Sequence, residues 1–332
     1  MVLYFLLTFV LSFLLSIYGT PVAMKAATKF GIIDKPDGKL KTQGKPVPYL
    51  GGLSVYLSFL LSIGMTLGFS REVLGMVLSG TIVLLLGLID DLGALSPGVK
   101  FIGQLIAIFV LIKSGVMISV VILPYWLCVL FTILWIVGIT NGFNLIDIMD
   151  GLSAGTAFFA SIFFFIISII NNNLSTATIS AALAGSLLGF LYFNFEPARI
   201  YLGDTGSMFI GLTLGTLAMT GKYSTHNQVG FLAPLIALGV PIFDTFLVSY
   251  IRALRRRSIF IGSRDHFAIR LRHWALSVKS TVLLSYGVAV ILGIIGILIT
   301  YTDNMTSLSI VSVILLAFIL ITYWLKKIDV EN

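Results

Sequence analysis

The sequence predicts an all-α integral membrane protein with about eleven transmembrane helices, and three observations lead there. Of 332 residues, 58% are apolar and 11% are charged, whereas an ordinary soluble domain carries about 25% charged residues. Apolar runs of about 17–25 residues, the length that crosses a bilayer as a helix, recur along the whole chain. Lys and Arg lie almost entirely in the segments between those runs, and eighteen of the 21 fall in alternate segments.

The runs place spans near 2–20, 47–68, 73–89, 99–112, 121–140, 153–170, 175–193, 205–220, 229–251, 280–300 and 306–325. The first begins almost at Met1 without a basic lead or a small-residue cleavage site, so it is expected to be retained as a span. With eleven spans, only Arg71, Lys113 and Lys222 of the 21 basic residues fall in one set of loops. The other eighteen fall in the opposite set, which the positive-inside rule assigns to the cytoplasm. The N-terminus is then expected outside and the C-terminus inside. Residues 1–332 form a single polytopic domain, with large cytoplasmic loops near 21–46 and 252–279. The excess of basic residues does not point to nucleic acid, because the charges are dispersed among apolar spans. The lone Cys128 lies within an apolar run and excludes an internal disulfide framework.

The acids gather on the same side as the bases. Asp90, Asp91, Asp147, Asp150, Glu196, Asp204, Asp244 and Asp265 all lie at or near cytoplasmic span ends. A charge at a lipid-facing helix centre costs at least about 2.5–3.5 kcal/mol, so span-end acids are cheaper but still call for a reason. Each alone is as well read as a solvated loop acid. Together, in a chain with so few charges, they indicate a shared polar site. A transporter would place such acids nearer the midplane.

Four segments carry the chemistry. Leu88-Ile89-Asp90-Asp91-Leu92 closes the third span. Adjacent carboxylates repel, which suits one of them to act as a base, and hard oxygen ligands suit Mg²⁺. Asn141 to Gly151 follows the fifth span. If helical, it sets Asn144, Asp147 and Asp150 on one face; the alternative is a capping and turn segment. Asn194 to Ser207 follows the seventh span. In it Gly203 and Gly206 allow close backbone approach, and Asp204 is placed to cap the next helix, whose N-terminal amides favour phosphate. The segment 252–279 contains Arg255-Arg256-Arg257 and Arg264-Asp265-His266. It serves as positive-inside anchoring, as a phosphate-binding loop, or both. The pairs Gly185/Gly189 and Gly211/Gly215 suit close helix packing.

Taken in order, these segments resemble the polyprenyl-phosphate N-acetylhexosamine-1-phosphate transferases, which start bacterial cell-envelope glycans. Within that family the resemblance is to the branch initiating O-antigen or teichoic-acid linkage units. It covers nearly the whole chain: Asp34-Lys35-Pro36 with Lys45 to Gly52, Asp90-Asp91 with Lys100 and Gln104, Asn144 to Leu152, and Asn194 to Ser207. It implies an enzyme of the bacterial inner (plasma) membrane with its active site on the cytoplasmic face. That enzyme would move a sugar 1-phosphate from a UDP-N-acetylhexosamine to undecaprenyl phosphate and release UMP. Asp90 would be the base or orienting group for the lipid phosphate, supported by Asp91. Asp204 and Asn144 would hold Mg²⁺, with Mn²⁺ as an alternative. Lys45 and Lys100 would bind phosphate charge, and Asp147, Asp150 and Asn194 would line the nucleotide-sugar site. Arg264, His266 and Arg270 belong to the last large loop, also expected to bind substrate. Expected partners are the two substrates and membrane lipid, with a homodimer as a family-level expectation.

Two departures qualify the match. Members of this branch carry His-x-His-His followed by Arg-Leu in the last large loop, whereas this chain has His266-Phe267-Ala268-Ile269-Arg270-Leu271. Ile148 also stands where a glycine is usual. A binder that has lost catalysis is therefore the second reading, and a transporter the third.

Overall fold

Residues 2–34, 46–93, 95–257 and 264–330 are described in a computed structural model of the protein. The chain forms α1 (Val2–Phe30), a two-residue strand pair β1 (Ile33–Asp34) and β2 (Val47–Pro48), then α2 (Gly51–Thr66), α3 (Arg71–Asp91) and α4 (Pro97–Lys113). There follow α5 (Tyr125–Leu145), α6 (Leu152–Ile170), α7 (Leu174–Asn194) and α8 (Gly203–Thr220). A 3₁₀ turn over Val229–Leu232 leads into α9 (Ala233–Ala237), α10 (Gly239–Leu254), α11 (Phe267–His273), α12 (Val278–Tyr301) and α13 (Asn304–Lys326).

Local chemistry sets many of the helix starts. Ser70, Ser96, Asn173, Ser277 and Asp303 each accept a hydrogen bond from a backbone amide two or three residues ahead. Those side chains satisfy amides that the first helical turn leaves without partners. Pro97 follows Ser96 at the first helical position, where a missing N–H costs nothing.

Among the described residues, seven helices are long and apolar enough to cross a membrane (α1, α3, α5, α6, α7, α12 and α13), and the bent pair ending in α10 makes an eighth if it is one span. This is the architecture of a multi-pass membrane protein. The ninth expected span, 229–251, is not straight: its two parts meet at 76°. Pro241 accounts for the break, because its ring would collide with the carbonyl four residues back, at Ala237, where α9 ends. At the other end of the chain, α1 continues ten residues past its expected limit, to Phe30.

α7 and α8 form the centre. In α7, 78% of the apolar stretch is buried in protein, against 11% in α13. α8 is sheathed by α2, α3 and α5, and α7 by α1, α2 and α6. Small residues make this possible, since without water between helices close van der Waals approach is a main source of cohesion. A Cβ at Gly52 would overlap the backbone of Gly206, and one at Gly87 would overlap the carbonyl of Asp204. The expected packing role of Gly185, Gly189 and Gly211 is also met: they lie against backbone of Phe9, Phe13 and Thr140 respectively. The start of α8 is therefore held by backbone contact with α2 and α3.

Candidate active site

The expected site residues Asp90, Lys100, Asn144 and Asp204 meet where α3 and α5 end and α4 and α8 begin. Lys100, one turn into α4, lies between two carboxylates: its Nζ donates to Asp90 Oδ2 at 2.6 Å and to Asp204 Oδ2 at 2.5 Å. Asn144, in the last turn of α5, donates through Nδ2 to Asp204 Oδ1 at 2.8 Å and to Ser207 Oγ at 3.0 Å. Residues 60 and 104 positions apart in the chain thus meet on one carboxylate. Asp204 keeps 29% of its side chain open to solvent, so the cluster is accessible from outside the bundle.

The two adjacent aspartates have different tasks. Successive helical residues project about 100° apart, so Asp90 and Asp91 face different neighbours. Asp91 Oδ1 accepts from the amide of Asp204 at 2.8 Å. Its Oδ2 accepts from the amide and the hydroxyl of Thr205 at 3.1 and 2.6 Å. The capping expected of Asp204 is therefore supplied by Asp91 from another helix, and the Asp204 side chain is left for Lys100 and Asn144. Gly203 adopts a left-handed φ of 72°, and a Cβ there would press on the Asp91 carboxylate, so glycine suits the position twice over.

The stretch after Asn144 is turn rather than helix. α5 ends at Leu145, and the chain passes through turns to Gly151, whose φ is 78°. The one-face arrangement of Asn144, Asp147 and Asp150 is accordingly not formed. Asp150 Oδ2 instead accepts from the amide of Ala198 at 2.8 Å, tying this turn to the segment before α8. Asn194 reinforces the same joint: its Oδ1 accepts from Gly151 N at 3.1 Å and its Nδ2 donates to the Ile200 carbonyl at 3.0 Å. Asn194 is thus a buried tie between loops rather than an open lining group.

Asp147 is half-buried, and among the described residues nothing hydrogen-bonds its carboxylate. Burial first, then the neighbouring charges of Asp204, Asp91 and Asp150, hold its pKa well above the usual carboxylate range. Asp150 is raised too, by burial, with the Ala198 amide opposing. A carboxyl whose pKa is higher folded than unfolded stabilises the fold when protonated. That contribution is lost as pH rises from the unfolded value of about 4 through the folded one. Asp147→Asn should therefore raise the melting temperature of the solubilised protein at pH 7.5, and the gain should shrink toward pH 4. A gain independent of pH would contradict this account.

Two aromatic residues that the sequence did not single out complete the rim. The rings of Tyr49 and Tyr201 lie 5.9 Å apart, inclined at 57°. The Tyr201 hydroxyl is pushed up to about 12 by burial and by Asp150, Asp34 and Asp147. The first loop is stitched to this rim, with Tyr201 N donating to the Pro48 carbonyl at 2.8 Å and Gly51 N to the Tyr201 carbonyl at 3.0 Å. Ser207 and Thr205, also unassigned from sequence, orient Asn144 and Asp91. Their hydroxyls in the Gly203-Asp-Thr-Gly-Ser run were the available signal.

In the last large loop, Arg270 is fully buried, with 0% exposure. Its guanidinium donates to the Asp265 carboxylate at 2.7 Å and carbonyl at 3.0 Å, and to the carbonyls of Leu325 and Ile328 at 3.2 and 2.6 Å. A buried guanidinium needs such partners, and these lock α11 to the end of α13. His266 is also buried, with Nδ1 2.6 Å from Asp244 Oδ2. Arg264 is exposed beside residues 258–263, which are not described. Lys45 lies outside the described residues.

The donor set suits a hard cation. Mg²⁺ takes oxygen ligands, commonly one or two carboxylates completed by substrate phosphate and water. Asp204 offers such a carboxylate, while Asn144 turns its Nδ2 toward Asp204 and Ser207. Among the described residues no three His, Cys, Asp or Glu side chains form a cage of their own.

Residues 73–222 match Glycosyl transferase family 4, a segment that contains the whole Asp90–Lys100–Asn144–Asp204 cluster. A Bacillus subtilis protein, "Probable undecaprenyl-phosphate N-acetylglucosaminyl 1-phosphate transferase", is 31% identical across 93% of this chain and 88% of its own length. The chain belongs to glycosyl transferase family 4. Within the family it is also 32% identical to a phospho-N-acetylmuramoyl-pentapeptide-transferase of Halalkalibacterium halodurans, over 81% of this chain and 90% of that one. An undecaprenyl-phosphate alpha-N-acetylglucosaminyl 1-phosphate transferase of Thermotoga maritima is 30% identical over 73% and 72% respectively.

Proposed function

We propose that this family 4 protein transfers an N-acetylhexosamine 1-phosphate from a UDP-sugar to undecaprenyl phosphate and releases UMP. The observation that carries the reading is Lys100 held between Asp90 and Asp204, with Asn144 on the second carboxylate. Phosphoryl transfer asks little covalent chemistry of a protein; it asks for positioning and charge neutralisation. An oxygen of the lipid phosphate forms a bond to the sugar-bearing phosphorus of the pyrophosphate. The bond from that phosphorus to the bridging oxygen breaks, and UMP leaves with the electron pair. Asp90 orients the lipid phosphate and accepts its proton where it carries one. Lys100 exchanges a carboxylate for a phosphate oxygen and balances the charge that grows on UMP. Asp204 and Asn144 would hold Mg²⁺, which neutralises pyrophosphate charge when bound. Asp91 keeps Asp204 in place, while Asp147, Asp150 and the Tyr49–Tyr201 rim face the nucleotide sugar.

The same reading sets eleven spans in the bacterial inner membrane, with the N-terminus outside and the site on the cytoplasmic face. Its support is the basic partition and the position of the cluster at the ends of α3 and α5, on the heavily basic side.

The test is purified full-length protein with undecaprenyl phosphate and a panel of UDP-sugars. UMP release is expected with a UDP-N-acetylhexosamine, stopped by EDTA and restored by Mg²⁺. Tight UDP-sugar binding with no UMP from any member of the panel would instead favour a binder that has lost catalysis.

A further inference from the structure

Gln104 is a polar residue on an otherwise apolar face. The buried residues of α4 are Gln104, Ala107, Ile108 and Leu111, and nothing in the reaction described above uses the first of them. A buried carboxamide that lacks partners is costly, so the partner it has is informative. That partner is Asn141 of α5. Asn141 Nδ2 donates to Gln104 Oε1 at 2.9 Å, and Gln104 Nε2 donates back to Asn141 Oδ1 at 3.4 Å. A third bond sets the sense of the pair: Asn141 Nδ2 also donates to the Val137 carbonyl, one turn back in α5, at 2.8 Å. With its carboxamide reversed, Asn141 would set an oxygen against that carbonyl, acceptor against acceptor. The backbone therefore orients Asn141, and Asn141 orients Gln104.

The pair lies one turn inside the charged cluster on both helices. Gln104 follows Lys100 by four residues and Asn141 precedes Asn144 by three, so each shares a helix face with its cluster residue about 5–6 Å away. α3 holds α4 separately. Ser79 Oγ donates to the Ala107 carbonyl at 2.8 Å, and the Leu86 side chain lies against Gly103. These contacts fix α4 on α3 but not its distance from α5. Among the described residues, the two bonds of the carboxamide pair are the only side-chain hydrogen bonds that join α4 to α5 directly. Lys100 comes from α4 and Asn144 from α5, yet both converge on Asp204. Apolar contact lets helices slide, whereas hydrogen bonds are directional. A misplacement of about 1 Å at a reacting site costs about 10²-fold in rate.

We propose that Gln104 and Asn141 are positioning residues, whose carboxamide pair fixes the spacing of α4 from α5 so that Lys100 and Asn144 meet on the Asp204 carboxylate. This rests on the transferase reading given above. It gives a use to Gln104, which stands beside Lys100 in the paired-aspartate segment without touching the cluster itself.

Two measurements decide it, both on purified full-length protein. Gln104→Leu leaves Asn141 short of an acceptor and should melt below wild type. Adding Asn141→Leu replaces both partners by apolar groups, which is nearly neutral, so the double variant should regain much of that loss. Turnover should not follow. UMP release from UDP-N-acetylglucosamine should show kcat about 10²-fold below wild type in the single and the double variant, with KM for the nucleotide sugar nearly unchanged. The second measurement needs no turnover. Lys100 Nζ donates to two carboxylates, which withholds it from acylation, a reaction that needs a free amine. Brief treatment with acetic anhydride, read by peptide mass spectrometry, should label Lys100 slowly in wild type and several-fold faster in the double variant. Should the double variant not fold, Gln104→Met, with the length of glutamine and no amide, carries both tests. Wild-type kcat in the folded variant, or Lys100 labelled no faster than in wild type, overturns the proposal. A wild-type protein inactive toward every UDP-sugar would sink the transferase reading, while the labelling still decides the spacing.

Discussion

Asp204→Asn is expected to abolish UMP release, lowering kcat/KM by about 10³-fold or more, equivalent to about 4 kcal/mol of transition-state stabilisation. The substitution keeps the shape of the side chain and one acceptor oxygen. It removes the charge that Lys100 and Asn144 converge on, and with it the strongest oxygen donor for a divalent cation. Asp90→Asn should produce a loss of similar size for a different reason, because Lys100 then lacks its first counter-ion and the lipid phosphate its orienting group. Neither variant should melt noticeably lower than the parent, since both side chains are partly open to solvent and exposed ion pairs contribute little. Steady-state UMP release together with melting curves checks both statements. Full activity in both variants would remove the basis of the proposed function.

Asp91→Ala should behave differently from its neighbour. It strips the partner from two backbone amides and one hydroxyl at the start of α8. Loss of a helix cap costs about 0.5–2 kcal/mol, and a buried donor without a partner about 1–3 kcal/mol. Stability should therefore fall by about 3 kcal/mol, alongside a large loss of activity as Asp204 loses its support. Asp91→Asn, retaining one acceptor, should recover part of the stability. Loss of activity at an unchanged melting temperature would show that Asp91 acts on the chemistry directly rather than through α8.

The contrast between Asp90 and Asp91 shows how much of the site was legible in the residues alone. Both stood out as span-end acids, and both belong to the cluster. Their division of labour depends on the rotation of α3 against α8, which no local pattern reports. Asn144 and Asp204 were also recognisable, but the turn that begins after Leu145 was not. The run Leu145 to Met149 has no strong breaker, and Gly151, left-handed in the structure, stands six residues beyond the end of α5. The backbone ties of Arg270 and Asn194 were not legible for a common reason: a polar residue in a motif looks the same whatever its distant partners are. The 76° bend at the ninth expected span was hidden by unbroken hydrophobicity, although Pro241 was there to be weighed.

By itself the sequence determined that the chain lives in lipid, and with eleven spans it led to the expectation that bases and acids share one side. Those are consequences of solvation and charge, which act on each residue type wherever it stands. It also carried the family resemblance, because the motifs are short and contiguous. Only the tertiary structure decided that Lys100 joins Asp90 to Asp204, that Asp91 serves α8, and that His266 leans on Asp244. These pairings link residues 10 to 114 positions apart. They exist because glycine contacts bring α2, α3, α5 and α8 close enough for short polar side chains to reach one another.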